Sequence, residues 1–412
     1  MKYIIFDDNK IDDFYPLTFT RPVGDLKTGI LKLRQRLFSY FNMESYNLVI
    51  SDNLEKLYRK RHPDFFVNDI INGEAIFINS RIIISDELVK KIDQCPLNSS
   101  LISNGNIVAA KLNLENKKFT SETLIDFLQE LDSQEIDANF WTHIWDLISE
   151  NSKMIRQDFQ DFFYDKDNFF ETEMGVTVLN PYNIWIGEGV TMKPGVVIDA
   201  TEGPVIIDEN ATILSNAVIV GPTYIGKSTT IKIGAKIYEG SSIGKICKVG
   251  GEVEDSIITS FSNKQHDGFL GHSYLGEWVN IGADTNNSDL KNNYKNVKMY
   301  HYPSKKKIDS ETKFLGCIIG DHTKIGINCS INTGSVIGIG CNLYGRNLLS
   351  DFIPDFSWGE AGNLTSYHLE KFVETAALVK KRRNLYFDSE EKELYNKLYE
   401  KFLNYNNDKG NN

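Results

Sequence analysis

The sequence predicts an α/β domain over residues 1–120, an all-β solenoid of six-residue repeats over 174–350, and helices on either side of the solenoid. Three observations predict this order. Short apolar runs alternate with helical patterns near the N-terminus. From residue 184 an aliphatic residue then recurs at every sixth position, in blocks separated by insertions. Apolar residues after residue 351 return to helical spacing. We therefore expect a helical connector over 121–173 and a helical tail over 351–412.

The composition is that of an ordinary soluble protein, with 41% hydrophobic and 25% charged residues in a chain of 412. The net charge of −11 argues against a general nucleic-acid binder, which needs an excess of Lys and Arg. The five cysteines form no C-x-x-C pair, so the sequence predicts reduced, buried thiols rather than a zinc site or disulfides. No apolar run reaches the roughly 18 residues of a membrane span. We expect a cytoplasmic protein.

The N-terminal domain is predicted from apolar runs of strand length with helical patterns between them. A helix is predicted over 27–41, where Leu33, Leu37 and Phe41 share one face. Residues 121–165 are aromatic-rich and predict further helices. The predicted strands cover 3–6, 47–50, 75–78 and 107–110.

The solenoid is predicted from a six-residue aliphatic period, which matches neither the 3.6-residue period of a helix nor the two-residue period of a strand. Three hexapeptides close a triangular turn of about 18 residues, and successive turns stack as repeats. The longest uninterrupted series is Ile207, Ile213, Ile219, Ile225, Ile231, Ile237, Ile243 and Val249.

Two segments, 250–274 and 284–314, interrupt this period. The second is rich in Lys, Asn and Tyr and must loop out from the coil. Loops on a rigid scaffold are where function concentrates. The tail beyond the solenoid predicts two amphipathic helices, and Asp388 followed by Glu391 has the spacing of a capping box at the start of the second.

The segment KQHDGFLGHSYLGEWVNIGADT, 264–285, resembles the histidine-containing segment of the left-handed β-helix acyltransferases. Within that group it resembles the bifunctional GlmU enzymes, which acetylate glucosamine-1-phosphate and then uridylylate it. The resemblance covers roughly 175–350. It implies a left-handed hexapeptide β-helix, acetyl-CoA as co-substrate, a sugar phosphate or sugar nucleotide as partner, and a homotrimer.

The resemblance also implies roles for individual residues. A gapless alignment puts His266 on the catalytic base and Asn280 on an asparagine that contacts substrate. Histidine suits a general base because its ordinary pKa lies near neutral pH. Asn293 and Tyr294 resemble an Asn-Tyr pair of the family, and Lys313 resembles a substrate-binding lysine.

Some features of the segment leave alternatives open. Phe269 stands where the family has a tyrosine, and the 286–312 insertion is longer than the family's. A second histidine, His272, becomes the base if the alignment carries a gap. Lys264 and Lys313 are candidates for pairing with a phosphate. Asn280 is equally well read as a corner residue that tolerates positive φ.

The segment YPLTFTRPVGDL, 15–26, resembles the P-L-T-x-x-x-P-K-P-L motif of sugar-1-phosphate nucleotidyltransferases. The glycine-rich phosphate loop of that fold is missing, because the first strand runs directly into Asp7, Asp8 and Asn9. One hypothesis is a nucleotide site in which Asp7 or Asp8 holds Mg²⁺ and Arg21 faces the phosphates. The alternative is that the two carboxylates cap the strand and turn the chain.

The leading functional hypothesis is acyl transfer, most simply of an acetyl group, to a sugar phosphate or sugar nucleotide, combined with nucleotidyl transfer as in GlmU. A second is a nucleotidyltransferase whose solenoid is structural and regulatory. A third is a non-enzymatic binding scaffold. The histidine-containing break in the repeat favours the first hypothesis, and the missing glycine loop counts against the second.

Overall fold

A computed structural model describes residues 2–168 and 173–410. The chain divides into two compact units. The first unit comprises residues 1–26, 31–144 and 388–395, and the second comprises 27–30, 145–387 and 396–412. The predicted connector 121–173 is therefore divided between the units after Ile144, and its residues 169–172 lie outside the described part of the chain.

The first unit is an α/β fold around a seven-stranded sheet. In spatial order its strands are Phe66–Val67, Asn47–Val49, Lys2–Phe6, Ile71–Asn79, Asn106–Lys117, Ser99–Ser103 and Asp132–Glu135. The first four of these run parallel to one another, while Asn106–Lys117 is antiparallel to both of its neighbours. The helices of this unit are Leu33–Tyr40, Asp52–Arg61, Asp86–Asp93 and Ser121–Gln129.

All four predicted strands of the N-terminal domain are confirmed, because their apolar runs supply the buried core of this sheet. The predicted helix over 27–41 begins later than expected. Short strands occupy Lys27–Thr28 and Leu31–Lys32, and the helix starts at Leu33. Gly29, which has φ +70°, lies between the two strands and is a poor helix residue.

The second unit is the predicted left-handed β-helix. Its coil visits three faces in turn, which we number in chain order. Face 1 has the strands Thr177–Leu179, Val197–Asp199, Val218–Val220, Lys236–Ile237, Glu252–Glu254, Phe269–Gly271, Asn286–Asn287, Ser330–Ile331 and Leu348–Leu349. Face 2 has Ile184–Ile186, Val205–Ile207, Thr223–Ile225, Ser241–Ile243, Ile257–Ile258, Tyr274–Leu275, Cys317–Ile319, Ser335–Ile337 and Phe352–Ile353. Face 3 has Thr191–Met192, Thr212–Ile213, Thr230–Ile231, Lys248–Val249, Asn263–Lys264, Asn280–Ile281, Lys324–Ile325, Asn342–Leu343, Ser357–Glu360 and Asn363–Ser366.

The register explains the six-residue period. Ile207 pairs with Ile225 and Ile225 with Ile243, so residues 18 apart lie directly above one another on one face. Ile213 and Ile219, which fall between them in the sequence, occupy the same inward position on the other two faces and are fully buried. Each hexapeptide therefore contributes one inward residue, and successive hexapeptides place it on successive faces.

Helices and a hairpin complete the second unit. Its helices are Ile144–Ser149, Asn151–Phe162 and Leu369–Lys381, together with most of Ser389–Gly410. The 284–314 insertion contains the antiparallel hairpin Lys298–His301/Lys306–Asp309. The capping prediction is confirmed, because Asp388 Oδ1 accepts a hydrogen bond from Glu391 N at 2.9 Å.

Over residues 2–168 and 173–410 the structure contains neither a disulfide nor a membrane-spanning helix. All five cysteines are buried and unpaired, as the sequence predicted. Within the same ranges, the structure contains no helix of the length and apolar character needed to cross a bilayer.

Candidate active site on the solenoid

The predicted site residues are distributed over different edges of the triangular coil. We call the edge between faces 1 and 2 the 1–2 edge, and the edge between faces 3 and 1 the 3–1 edge. His266 lies on the 3–1 edge, just before the face 1 strand Phe269–Gly271. His272 follows that strand and lies on the 1–2 edge. The two candidate bases are thus at opposite ends of one strand.

His266 is exposed on the 3–1 edge. Among residues 2–168 and 173–410, no side-chain hydrogen bond of its imidazole is present, and its only polar contact is through its main-chain carbonyl. That carbonyl accepts a hydrogen bond from Lys264 Nζ at 2.9 Å. A neutral histidine base needs a partner that fixes its tautomer, and within this chain the described residues supply none to His266.

Lys264 does not fit its predicted role of binding a phosphate. Its side chain takes the inward position of face 3, in register with Val249, and is only 2% exposed. Its ammonium group donates to Gly250 O at 3.1 Å as well as to His266 O. Burial lowers the pKa of Lys264 to about 8. The lysine replaces an aliphatic residue of the core and caps carbonyls of the edge from within.

Asn280 lies on the coil that follows the strand preceding His266. It is a half-buried residue of face 3, paired in register with Asn263 on one side and with Lys324 on the other. Its φ is not positive, so the corner reading is not needed either. The structure gives Asn280 no contact with the edge that carries the insertion.

The insertion leaves and rejoins the solenoid on the 1–2 edge. It begins after the face 1 strand Asn286–Asn287 and ends at the face 2 strand Cys317–Ile319. Its predicted substrate residues, Asn293, Tyr294 and Lys313, are all exposed. They therefore lie in a segment that projects from the edge of His272 and not from the edge of His266.

Asn287 anchors the start of the insertion. Its Oδ1 accepts from Gly271 N at 2.9 Å and its Nδ2 donates to Gly271 O at 3.0 Å. These side-chain bonds replace main-chain pairing where face 1 changes from one sheet to the next. The amide thereby fixes the backbone immediately before His272.

The imidazole of His272 is held between carboxylates on the 1–2 edge. Nδ1 lies 2.9 Å from Asp289 Oδ2, and Nε2 lies 3.4 Å from Asp255 Oδ2. Phe314 stacks on the ring, with 5.3 Å between centroids and 27° between planes. Asp289 and Phe314 are near the two ends of the insertion, so both ends contact this histidine. Its side chain remains 20% exposed.

The electrostatics of this cluster favour a basic imidazole. Burial disfavours the charged ring, but the hydrogen bond to Asp289 and the charges of Asp255, Asp289 and Glu254 outweigh it and raise the pKa of His272. Burial, together with neighbouring carboxylates, also raises the pKa of Asp255 and of Glu254. A histidine with a raised pKa, oriented through Nδ1, is a stronger proton acceptor at Nε2 once it is neutral.

The sequence had marked His272 only as an alternative base and had missed Asp255, Asp289 and Phe314. A signal was available in the coil length. Asp255 precedes His272 by 17 residues, which is close to one full turn, so both fall on the same edge one coil apart. Asp289 and Phe314 could not be placed in this way, because the insertion interrupts the period.

The proposed nucleotide site of the first unit is occupied by internal contacts. Asp8 forms a buried ion pair with Arg81 and accepts from Asn79 Nδ2 at 2.8 Å. Asp7 accepts from Ser80 Oγ at 2.6 Å and from Val23 N at 3.1 Å.

The environments of these carboxylates bear on the Mg²⁺ hypothesis. Burial raises the pKa of Asp7 to about 7. Arg21, predicted to face phosphates, is 6% exposed and its guanidinium lies 3.5 Å from Thr20 Oγ1. Over the described ranges there is no cluster of three or more His, Cys, Asp or Glu that could hold a metal ion. The carboxylates therefore fit the strand-capping alternative better than a Mg²⁺ site.

Comparison with known proteins gives separate matches for the chain. Residues 3–165 match the family model of the sugar nucleotidyl transferases. The bifunctional protein GlmU of Synechococcus elongatus is 27% identical over 215 residues, which cover 47% of this chain and 43% of that protein. A bifunctional sugar-1-phosphate nucleotidylyltransferase/acetyltransferase of Sulfurisphaera tokodaii is 32% identical over 149 residues, 35% of this chain and 36% of the relative.

The alignments span less than half the length of these curated relatives. Among solved structures, the UDP-N-acetylglucosamine acyltransferase of Campylobacter jejuni aligns over 56% of this chain and 90% of its own, with 15% identity and a TM-score of 0.34. By its two partial matches in sequence, the chain is similar to the sugar nucleotidyl transferases over residues 3–165 and to the GlmU-type bifunctional transferases.

Proposed function

We propose that the solenoid transfers an acyl group, in the simplest case acetyl from acetyl-CoA, to an amine or hydroxyl of a sugar phosphate or sugar nucleotide. The observation that carries this proposal is the His272 cluster on the 1–2 edge, with Asp289 on Nδ1 at 2.9 Å. The relatives named as acetyltransferases and nucleotidylyltransferases support the class of reaction. The acceptor sugar and the acyl chain are part of the proposal.

In this mechanism His272 accepts the proton of the acceptor group as that group attacks the thioester carbonyl. Asp289 keeps the proton of the neutral imidazole on Nδ1, so that Nε2 carries the free lone pair. Asp255, 3.4 Å from Nε2, is placed to attract a cationic acceptor such as an ammonium group. The tetrahedral intermediate collapses with loss of the CoA thiolate, which takes up the proton from His272.

The test compares two histidines at opposite ends of one strand. Purified protein is incubated with acetyl-CoA and a panel of amino-sugar phosphates and sugar nucleotides, and release of the CoA thiol is followed. We expect His272→Gln to lower kcat by about 100-fold or more, the usual scale for a lost general base. His266→Gln serves as the matched control and should retain most of the activity. A larger loss of kcat in His266→Gln than in His272→Gln would show that His266 is the base, as the gapless alignment implies, and would contradict the proposed role of His272.

A second activity, nucleotidyl transfer by the first unit, is favoured by the family match over residues 3–165. Its chemistry would rely on groups other than Asp7 and Asp8, which have internal partners. The test is release of pyrophosphate from UTP or dTTP with Mg²⁺ and several sugar-1-phosphates, using the full chain. Activity with any sugar-1-phosphate supports the proposal, and its absence with all of them restricts this unit to binding or packing.

A further inference from the structure

The insertion on the 1–2 edge is strongly basic in an acidic protein. Between residues 288 and 315 there are seven lysines and only three acidic residues, whereas the whole chain has a net charge of −11. We call residues 288–315 the basic arm. The lysines are Lys291, Lys295, Lys298, Lys305, Lys306, Lys307 and Lys313.

The basic arm contains regular secondary structure and packs on the solenoid. Lys298–His301 and Lys306–Asp309 form its antiparallel hairpin, and Met299 is fully buried beneath it. Tyr300 stacks on Phe352 of face 2, with 3.6 Å between ring centroids and 17° between their planes. The hairpin is therefore seated on the solenoid while most of its lysines remain exposed.

The stem and the hairpin of the basic arm contact the solenoid at two different levels along its axis. Its stem contacts His272 through Asp289 and Phe314. Its hairpin reaches Asp351, which forms an ion pair with Lys307 on the same edge. Three coil steps separate the levels of these contacts, as the face 2 register shows. At the usual strand spacing this is on the order of 14 Å.

The separation between His272 and the hairpin can be compared with the distance from the reacting atom to the first phosphate in the acyl-CoA donor and in the sugar acceptor. In an acyl-CoA the thioester is separated from the first phosphate by the pantetheine chain of about twelve bonds. This chain is on the order of 14 Å long when extended, at roughly 3.5 Å for every three bonds. In a sugar phosphate or sugar nucleotide the phosphate is attached to the sugar ring itself and would lie near His272, beside Asp255, Asp289 and Glu254.

We propose that the basic arm binds the phosphate groups of the acyl donor, with pantetheine running along the 1–2 edge toward His272. This inference rests on the proposed acyl transfer. Exposed ammonium groups attract phosphates without needing fixed geometry. With its phosphates on the hairpin, the donor has a pantetheine chain of the length needed to place its thioester at the histidine.

The test measures binding directly, without turnover. Lys298 and Lys306 are exposed and have no ion pair with another described residue, so Lys298→Gln/Lys306→Gln should fold normally. The matched control is Lys90→Gln/Lys117→Gln, which removes the same charge from exposed positions of the first unit. Equilibrium dialysis of the full chain is carried out with CoA, with pantetheine and with a UDP-sugar.

We expect the arm variant to raise the Kd for CoA about tenfold or more, the scale of lost charge-assisted contacts, while the control variant does not. The affinity for pantetheine, which has no phosphate, should be unchanged. Failure of CoA to bind, an unchanged Kd for CoA, or weakening confined to the UDP-sugar would each overturn the inference. Arm-dependent binding of CoA without acyl transfer to any acceptor would uphold it and instead refute the proposed function.

Discussion

At the scale of single residues, the site depends on which groups surround an imidazole. His266 and His272 are six residues apart, and the sequence favoured His266 as the base with His272 as the alternative. One is exposed on the 3–1 edge, while the other is partly buried between two carboxylates and an aromatic ring. The hydrogen bond to Asp289 and the neighbouring carboxylate charges outweigh burial and raise the pKa of His272.

The pH dependence of acyl transfer should report this environment. Because the base works only when neutral, kcat/KM should rise with pH through the pKa of His272, which lies above the ordinary value. Asp289→Asn removes a hydrogen bond and a negative charge that favour the protonated ring. The variant should therefore shift the rise in kcat/KM to lower pH and reduce its plateau.

The pH profile is measured from pH 5 to 9 on the wild type, on Asp289→Asn and on Asp309→Asn. Asp309 is exposed on the same insertion and serves as the control for loss of one carboxylate. An Asp289→Asn profile that coincides with the wild type would mean that Asp289 does not act through His272.

At the scale of elements, the insertion is joined to the solenoid by close backbone packing. Gly316 N donates to His272 O at 2.8 Å where the chain re-enters the coil. A Cβ on Gly316 would overlap Gly271 O and the side chains of Ser273 and Asn287. The groups that position the histidine and those that fix the end of the insertion are therefore the same.

Gly316→Ala should consequently destabilise the second unit by about 1–3 kcal/mol, as expected for overpacking at a rigid site. The matched control is Gly326→Ala, where the nearest atom to the new Cβ would be Tyr344 Cβ at 3.3 Å. Thermal unfolding of both variants checks the difference. Equal melting temperatures would show that the backbone at Gly316 can relax, and that the contact does not fix the insertion.

At the scale of the whole molecule, the resemblance to β-helix acyltransferases predicts a homotrimer. Ile233 and Ile327, on the 3–1 edge, are 70% and 65% exposed, and a contact between copies along that edge would bury them. Light scattering should give three times the 46.9 kDa mass of one chain. Ile233→Asp/Ile327→Asp should lower this mass, whereas Ile70→Asp in the first unit should not. A monomeric wild type at micromolar concentration would contradict the prediction.

The sequence by itself determined the solenoid, because one inward residue in every six is a local rule that each coil must obey. It also determined the strands of the first unit, whose apolar runs are long enough to form a core. The capping of the last helix at Asp388 followed from two residues three positions apart. These features depend on neighbours in the chain or on a fixed repeat, so they can be read without tertiary contacts.

Only the tertiary structure shows that His272 lies between two carboxylates and an aromatic ring, while His266 is exposed. The difference depends on Asp289 and Phe314, which are near the two ends of an insertion that has no period and thus no predictable register. The position of Lys264 also depends on register. Its inward position follows from the register of face 3, where its long side chain finds two edge carbonyls. His272 contacts Phe314 only because the insertion folds back onto the 1–2 edge. Phe314 does not lie a whole number of coils from His272, so its spacing in the sequence does not predict the contact.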